Sequence, residues 1–200
     1  MIESWRWFGP LDKIDLTEIY QTGSDSVVTA LHDISYGEIW PLPEIEKRKA
    51  TIEVVGLTWS VVESLPVHED IKLGRGNTSH LFNNYRKSLE NLAKCGVGVV
   101  CYNFMPLLDW TRTNLDAPAD TGGSALRFSM AEMAAFDVFV LKRKEAKESY
   151  SEEVLKNAEE LFKNSDQKYF DKILRNIMAG LPGSYARYST ETLREVLKNY

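Results

Sequence analysis

Polar and ionisable side chains follow short apolar segments of this chain, at the points where those segments end. The set consists of His32, Glu63, His68, Asn103 and Arg112. Imidazole exchanges a proton near neutral pH, carboxylate and amide groups hydrogen-bond to hydroxyl groups, and guanidinium binds a carboxylate through two parallel hydrogen bonds. Together these groups predict a site for a small hydroxylated acid, although the residues alone identify no catalytic base.

The first part of the chain is predicted to alternate strands with helices. Apolar runs predict strands at 5–8, 27–31, 57–62 and 97–102, and amphipathic patterns predict helices at 16–20, 43–55 and 79–94. Gly23, Gly56 and Gly96 each end a helix shortly before the next strand. Sequential parallel strands need such crossover helices. Residues 1–115 therefore predict an α/β fold, either half of a barrel or an open doubly wound sheet.

The second part of the chain does not continue this alternation of strands and helices. A loop rich in Pro, Gly and Asp at 116–123 precedes helical patterns at 129–142, 151–164 and 166–179, with Leu181-Pro182-Gly183 as a stop. These patterns predict a helical insertion over 116–188. A last helix begins at Ser189, whose spacing to Thr192 is typical of a cap, and 189–200 would lead back to the first part. We expect the fold to continue beyond Tyr200.

Composition excludes several classes of protein. Apolar residues make up 44%, charged residues 26% and aromatic residues 11% of the chain, as in ordinary globular domains. The net charge is −5, which argues against nucleic acid as the main partner. No apolar run approaches the roughly 18–20 residues of a membrane span, and the N-terminus does not resemble a signal peptide. Two cysteines without a favourable disulfide spacing indicate a reducing cytoplasm.

Structural roles compete with functional ones at several positions. His32 and His68 could equally be structural, and an Asp109–Arg112 ion pair that orders its loop is an alternative to carboxylate binding. Cys95 and Cys101 are interpreted as small buried apolar residues. The basic clusters 47–49 and 142–144 are interpreted as solvated helix faces, and strand alternation turns Arg6 away from its two Trp neighbours.

Several long motifs closely resemble the mannonate dehydratase family. The similarity extends from Trp5 to the C-terminus and includes the ends of all four predicted strands. The motifs are Ser-Trp-Arg-Trp-Phe-Gly at 4–9, Thr-Ala-Leu-His at 29–32, Ser-Val-Val-Glu-Ser at 60–64, Val-His-Glu-Asp at 67–70, Cys-Tyr-Asn-Phe-Met-Pro at 101–106, Asp-Trp-Thr-Arg-Thr at 109–113 and Asn-Ile-Met-Ala-Gly-Leu-Pro-Gly at 176–183.

This resemblance implies a TIM (β/α)8 barrel, of which the chain holds about the first four βα units. It also implies dehydration of D-mannonate to 2-keto-3-deoxy-D-gluconate in hexuronate (glucuronate) catabolism, with Mn²⁺ or Fe²⁺ as cofactor. The family's metal ligands, two His, a Cys and an Asp, and its proton-transfer groups come from the second half of the barrel, so no metal or catalytic residue is assigned before Tyr200. His32, Glu63, His68, Asn103 and Arg112 map to the substrate-binding wall. The 200 residues alone are expected to be inactive.

Two other functions remain open at this point. A sugar isomerase or epimerase on a similar barrel would share the recognition of a sugar acid but retain the hydroxyl group. A non-catalytic half-barrel could instead serve as a binding or assembly module. The sequence leaves the oligomeric state open, and a homo-oligomer is compatible with it.

Overall fold

The chain forms two compact units, Met1–Met105 and Pro106–Tyr200. The computed structural model describes residues 1–104, 111–179 and 189–198. The sequence predictions for Asp109, Trp110 and the stop at 181–183 lie outside the described residues.

The first unit is built around a four-stranded parallel sheet with the order β1-β2-β3-β4. Helices connect consecutive strands, as parallel pairing of neighbours requires. The α/β class is therefore confirmed. The elements are β1 (Ser4–Arg6), α1 (Leu16–Gln21), β2 (Ser26–Thr29), α2 (Leu42–Glu53), β3 (Thr58–Pro66), α3 (Glu69–Lys72), α4 (Ser79–Lys94) and β4 (Val99–Asn103).

Helix boundaries in this unit follow from local chemistry. Asp15 and Glu18 form a reciprocal capping box at the start of α1, which satisfies backbone donors that have no partner within the helix. Gly56 follows the end of α2 with φ +89° and Gly96 follows α4 with φ +78°, a conformation that side chains with a Cβ disfavour. The predicted bounds of α4 are confirmed, and those of α2 are confirmed to within two residues.

The core of this unit lies between the sheet and its helices. Val27 and Val62 from the strands and Ile45, Ile52 and Leu92 from the helices are completely buried. Each such side chain contributes about 1.5–3 kcal/mol through burial. This packing fixes one face of the sheet against the helices and thereby fixes where the strand ends point.

The region after β3 differs from the prediction. The strand is longer than the predicted 57–62, its pairing with β4 shifts between Glu63 and Leu65, and the Glu63–Ser64 peptide bond is cis. A one-turn helix, α3, forms where a loop was expected. His68 caps this helix by accepting a hydrogen bond from the backbone N–H of Asp70 at 3.1 Å.

The second unit begins with an antiparallel hairpin, whose strands were absent from the predicted helical insertion over 116–188. Strand β5 (Asn114–Pro118) pairs with β6 (Ser124–Arg127) across a turn that contains Gly122 and Gly123, both with positive φ. These glycines were interpreted as part of a loop, but they permit the tight reversal that a hairpin needs.

Helices make up the rest of the second unit that the structure describes. Ser129, Ser151 and Ser189 each cap a helix with the side-chain oxygen, which confirms the predicted starts to within one residue. The elements are α5 (Met130–Ala135), a π-helix (Phe136–Leu141), a 3₁₀-helix (Ala146–Ser149), α6 (Glu152–Asn164), α7 (Gln167–Ala179) and α8 (Thr190–Leu197). No helix among the described residues is long and apolar enough to span a membrane.

A buried carboxylate organises the π-helix. Asp137 is 3% exposed and accepts hydrogen bonds from Nε and Nη2 of Arg143 at 2.7–3.2 Å. The hydroxyl of Tyr150 donates to the same carboxylate at 2.9 Å. Lys142, with φ +53°, turns the chain back so that Arg143 reaches Asp137. The interpretation of 142–144 as a solvated helix face is therefore wrong for Arg143, which pairs with the buried carboxylate, while Lys142 and Lys144 are exposed.

Candidate functional site

The carboxyl ends of the parallel strands bring Arg6 and Glu63 together. Arg6 pairs in register with Val28, Val28 pairs with Val61, and Glu63 lies two residues further along β3. Nη1 of Arg6 lies 3.2 Å from Oε2 of Glu63. Arg6 thus joins β1 to the predicted site residue of β3. In open α/β sheets and in barrels alike, ligands bind at this end of the strands.

The Arg6–Glu63 contact leaves hydrogen-bonding capacity unused. Nη1 of Arg6 is buried but makes no directional hydrogen bond with any described residue, so the contact is electrostatic. Burial lowers the pKa of Arg6, and the charge of Glu63 opposes that shift. The Glu63 side chain is 49% exposed, and such pairs add little stability. The pair can therefore present both a donor and an acceptor to a ligand.

Phe8 connects this ion pair to His32. The Cζ atom of Arg6 lies 5.0 Å from the centre of the Phe8 ring, within the range of a cation–π contact. The same ring lies 6.2 Å from the imidazole of His32, measured between ring centres. Phe8 itself is 48% exposed. The structure therefore brings together Arg6, Glu63 and His32.

His32 is the least satisfied polar side chain of this cluster. Both ring nitrogens are buried and have no hydrogen-bond partner among the described residues. Burial, followed by the charges of Arg6 and Arg48, lowers the pKa of His32 to about 4, against opposing effects of Asp33 and Asp12. The ring is neutral at pH 7, with one nitrogen as donor and the other as acceptor. Unpaired buried polar groups are rare in proteins and call for an explanation.

His68 and Asn103 occupy other positions near the strand ends. Nδ1 of His68 accepts the amide N–H of Asp70, so the neutral ring carries its proton on Nε2. Asn103 is the last residue of β4 and pairs with Pro66. By strand alternation it lies on the same face as Cys101, the partner of Glu63. The roles of both residues in substrate binding stay predictions.

Arg112 belongs to the second unit. Its Nη1 donates to the backbone carbonyl of Thr111 at 2.9 Å. The proposed ion pair with Asp109 lies outside the described residues, and the role of Arg112 in carboxylate binding stays a prediction.

The two cysteines have different environments. Cys95 is buried, as expected, and burial raises the pKa of its thiol. Cys101 is exposed, so its interpretation as a buried residue is wrong. It lies on the outer strand of the sheet, opposite the half-exposed Glu63.

Sequence reasoning missed the burial of Arg48. Its side chain is 9% exposed and donates from Nη1 to the carbonyl of Ala30 at 2.9 Å. The interpretation of 47–49 as a solvated face is therefore wrong for this residue. The spacing of Ile45, Arg48 and Ile52 contained the signal, because positions i, i+3 and i+7 share one face of a helix.

The described residues do not form a metal site. No group of three or more His, Cys, Asp or Glu side chains converges among residues 1–104, 111–179 and 189–198. A structural or catalytic metal normally needs three or four such ligands. The cluster at the strand ends therefore suits hydrogen bonding to a polar ligand but cannot by itself hold a divalent ion.

Comparison with known proteins identifies the family. A family model for D-mannonate dehydratase (UxuA) matches residues 1–200. Mannonate dehydratases from Marinomonas sp. and Chromohalobacter salexigens are 51% and 50% identical to the chain over 200 residues. The match covers 100% of this chain and 51% of each relative. The chain thus spans about half the length of the curated relatives it matches.

A solved structure agrees with this assignment. The crystal structure of mannonate dehydratase from Streptococcus suis serotype 2 superposes with a TM-score of 0.61 at 35% identity. The superposition covers 92% of this chain and 50% of that one. The match along the whole sequence and the shared parallel α/β architecture lead to one conclusion: the chain belongs to the D-mannonate dehydratase family.

Proposed function

We propose that this chain supplies the substrate-binding half of an enzyme that dehydrates D-mannonate to 2-keto-3-deoxy-D-gluconate in hexuronate (glucuronate) catabolism. The four parallel strands are then the first half of a TIM (β/α)8 barrel, and residues beyond the matched half of the family complete it. Membership of the family and the half-length match support this proposal. A cytoplasmic location and a small sugar-acid substrate follow from the same activity.

The observation that carries the proposal is the unsatisfied cluster at the strand ends. Within the described ranges, the two buried ring nitrogens of His32 have no partner, and the buried Nη1 of Arg6 makes no directional hydrogen bond. Leaving such groups unpaired costs about 1–3 kcal/mol each. A polar ligand that paired them would recover that cost. Movement of the half-exposed Phe8 ring would give the ligand access to both side chains.

Each group of the cluster suits one part of a sugar acid. The guanidinium of Arg6 can donate to the carboxylate, and the carboxylate of Glu63 can accept from a hydroxyl group. Neutral His32 can donate to one oxygen and accept from a second. In the dehydration a base removes the proton on the carbon next to the carboxylate, an acid protonates the neighbouring hydroxyl group so that it leaves as water, and the resulting enol tautomerises to the keto acid. We assign binding and orientation of the substrate to Arg6, Glu63 and His32, and we assign to them neither of the two proton transfers.

The metal is a separate part of the proposal. A divalent ion, Mn²⁺ or Fe²⁺, would stabilise the negative charge that develops when the proton is removed. The described residues do not fit such an ion, so its ligands would come from outside the described ranges. No step of the binding described above depends on it.

A chimera tests the proposal. The chain is fused to the half of the Marinomonas relative that it does not match, and the product formed from D-mannonate is weighed by mass spectrometry. We expect a keto-deoxy acid that is lighter than the substrate by one water, whereas the 200-residue chain and the relative's second half alone give none. A product of unchanged mass would favour an isomerase or epimerase. No product from a folded, metal-loaded chimera would contradict the proposal.

Substitution of His32 in the chimera tests its role. His32→Leu removes both ring nitrogens, and we expect kcat/KM to fall about 10–100-fold, since hydrogen bonds of this kind are worth about 1.5–3 kcal/mol. The matched control is His80→Leu on the exposed surface of α4, which should leave kcat/KM unchanged. Equal kinetics for the two variants would remove His32 from the site.

A further inference from the structure

Arg48 places a buried cation behind the candidate site. It lies on α2, on the helix face that packs against the sheet, between the buried residues Ile45 and Ile52. Its guanidinium does not reach solvent, because the side chain is only 9% exposed. A charge buried to this degree costs several kcal/mol unless it is paired and hydrogen-bonded. The groups that the Arg48 guanidinium contacts therefore indicate the role of this residue.

Three contacts of Arg48 lie at the ends of two strands. Nη1 of Arg48 donates to the carbonyl of Ala30 at 2.9 Å, and Nη2 lies 3.7 Å from Oδ1 of Asp33. These two residues flank the segment that carries His32. On the other side, the Cζ atom of Arg48 lies 5.3 Å from the ring of Trp7. Arg48 thus contacts the chain on both sides of the Phe8–His32 pair.

The fit is specific to an arginine and to a glycine opposite it. A Cβ atom added at Gly9 would lie 3.0 Å from Nη1 of Arg48, and Gly9 has φ +92°. The end of β1 therefore approaches the guanidinium more closely than a larger residue would allow. A planar guanidinium can stack on Trp7 while it donates to Ala30, which the compact ammonium of a lysine cannot do.

We propose that Arg48 is a positioning residue of the sugar-acid site, which ties the end of β1 to the end of β2 and so fixes the imidazole of His32 next to Phe8. Arg48 touches no ligand in this arrangement and acts through His32. The identity of the ligand rests on the proposed function, but the positioning of His32 does not.

The charge of Arg48 also acts on His32, as expected from its position behind the loop that carries this residue. The charged groups that act on His32 are Arg6 from β1, Arg48 from α2, and Asp33 and Asp12 from the two loops that follow β2 and β1. The two arginines lower the pKa of His32, and the two aspartates raise it. Loss of Arg48 therefore has two separable consequences, since it frees the loop and it removes one positive charge.

The test is NMR of the histidine side chains in the full 200-residue chain, with His68 and His80 as internal references. In Arg48→Met we expect the pKa of His32 to rise above its original value of about 4, since a like charge has been removed, and the amide signals of 30–33 to shift. In Arg48→Lys the charge stays, so the pKa should stay near its original value while the same amide signals shift. Arg86→Met, on the exposed surface of α4, is the control and should change neither.

The proposal fails if folded Arg48→Met keeps the original titration of His32 and the original amide signals. Arg48 would then be purely structural, even if the melting temperature of the variant were lower. If Arg48→Met does not fold, Arg48→Lys decides: unchanged signals at 30–33 would overturn the proposal, and shifts confined to 7–9 and 30–33 would support it. None of these measurements needs turnover. A chimera inactive toward D-mannonate would therefore leave the inference on Arg48 intact.

Discussion

Two polar clusters of this chain, one in each unit, differ in how completely their buried groups are hydrogen-bonded. In the second unit, Asp137 is almost fully buried and every contact that the structure gives it is a hydrogen bond, from Arg143 and Tyr150. In the first unit, the buried ring nitrogens of His32 and the buried Nη1 of the nearby Arg6 have no hydrogen-bond partner in the part of the chain that the structure describes. A satisfied network rigidifies a fold, whereas an unsatisfied one costs free energy that a polar ligand can return. The contrast separates a structural cluster from a functional one.

The largest expected effect is on the satisfied network. Asp137→Ala leaves Arg143 and Tyr150 without their shared acceptor, and we expect the second unit to lose about 3 kcal/mol, since removal of one partner of a buried ion pair is costly. Hydrogen exchange of the amides of α5 and α6 measures this loss. Glu159→Gln on the exposed face of α6 is the control. Equal exchange in both variants would show that the Asp137 network contributes nothing to stability.

The second effect is a dependence of stability on pH that comes from His32. The folded pKa of about 4 is lower than the usual value of 6.5, so the unfolded chain binds the proton more tightly. This contribution is fully present above pH 6.5 and is lost as the pH falls toward 4. Between pH 7 and pH 5 we expect a loss of about 1–2 kcal/mol, allowing for partial exposure of the ring.

Urea unfolding followed by tryptophan fluorescence measures this loss, because Trp5, Trp7, Trp40 and Trp59 all lie in the first unit. His80→Gln is expected to keep the full pH dependence and His32→Leu to lose most of it. If His32→Leu retains the dependence, the unpaired imidazole is not its source.

The smallest effect has the opposite sign. Replacing the unpaired imidazole of His32 by an apolar side chain removes the cost of its burial, so His32→Leu should stabilise the first unit by about 1 kcal/mol at pH 7. The same urea experiment measures it. A destabilised variant would mean that His32 is satisfied in solution, and the contrast between the two units would disappear.

Local signals in the sequence were sufficient for most of the architecture. The serine caps and the glycines after helices act within a few residues, so the helix boundaries could be predicted from them. The hairpin at β5 and β6 could not, because Gly122 and Gly123 are equally compatible with an open loop. Its pairing is decided by contacts of the strands with each other.

The candidate site was only partly predictable for a similar reason. Placement after apolar runs identified His32 and Glu63, but nothing local revealed that Arg6 would reach Glu63 from another strand. Arg48 and Arg143 each stand in a basic cluster that resembles a solvated surface. Arg48 is buried because it reaches the Ala30 carbonyl, which is distant in sequence. Arg143 pairs with Asp137 because the chain reverses direction between them.

The unequal exposure of the two thiols allows Cys101 to be labelled selectively, without any substitution in the chain. Reactivity toward an alkylating reagent requires an accessible thiolate, which Cys101 can supply, while Cys95 is buried and its pKa is raised. A fluorophore attached at Cys101 would sit beside Glu63, its partner in the sheet. Occupancy of the strand ends could then be followed by quenching or by protection from labelling, in the unaltered sequence and without a coupled assay.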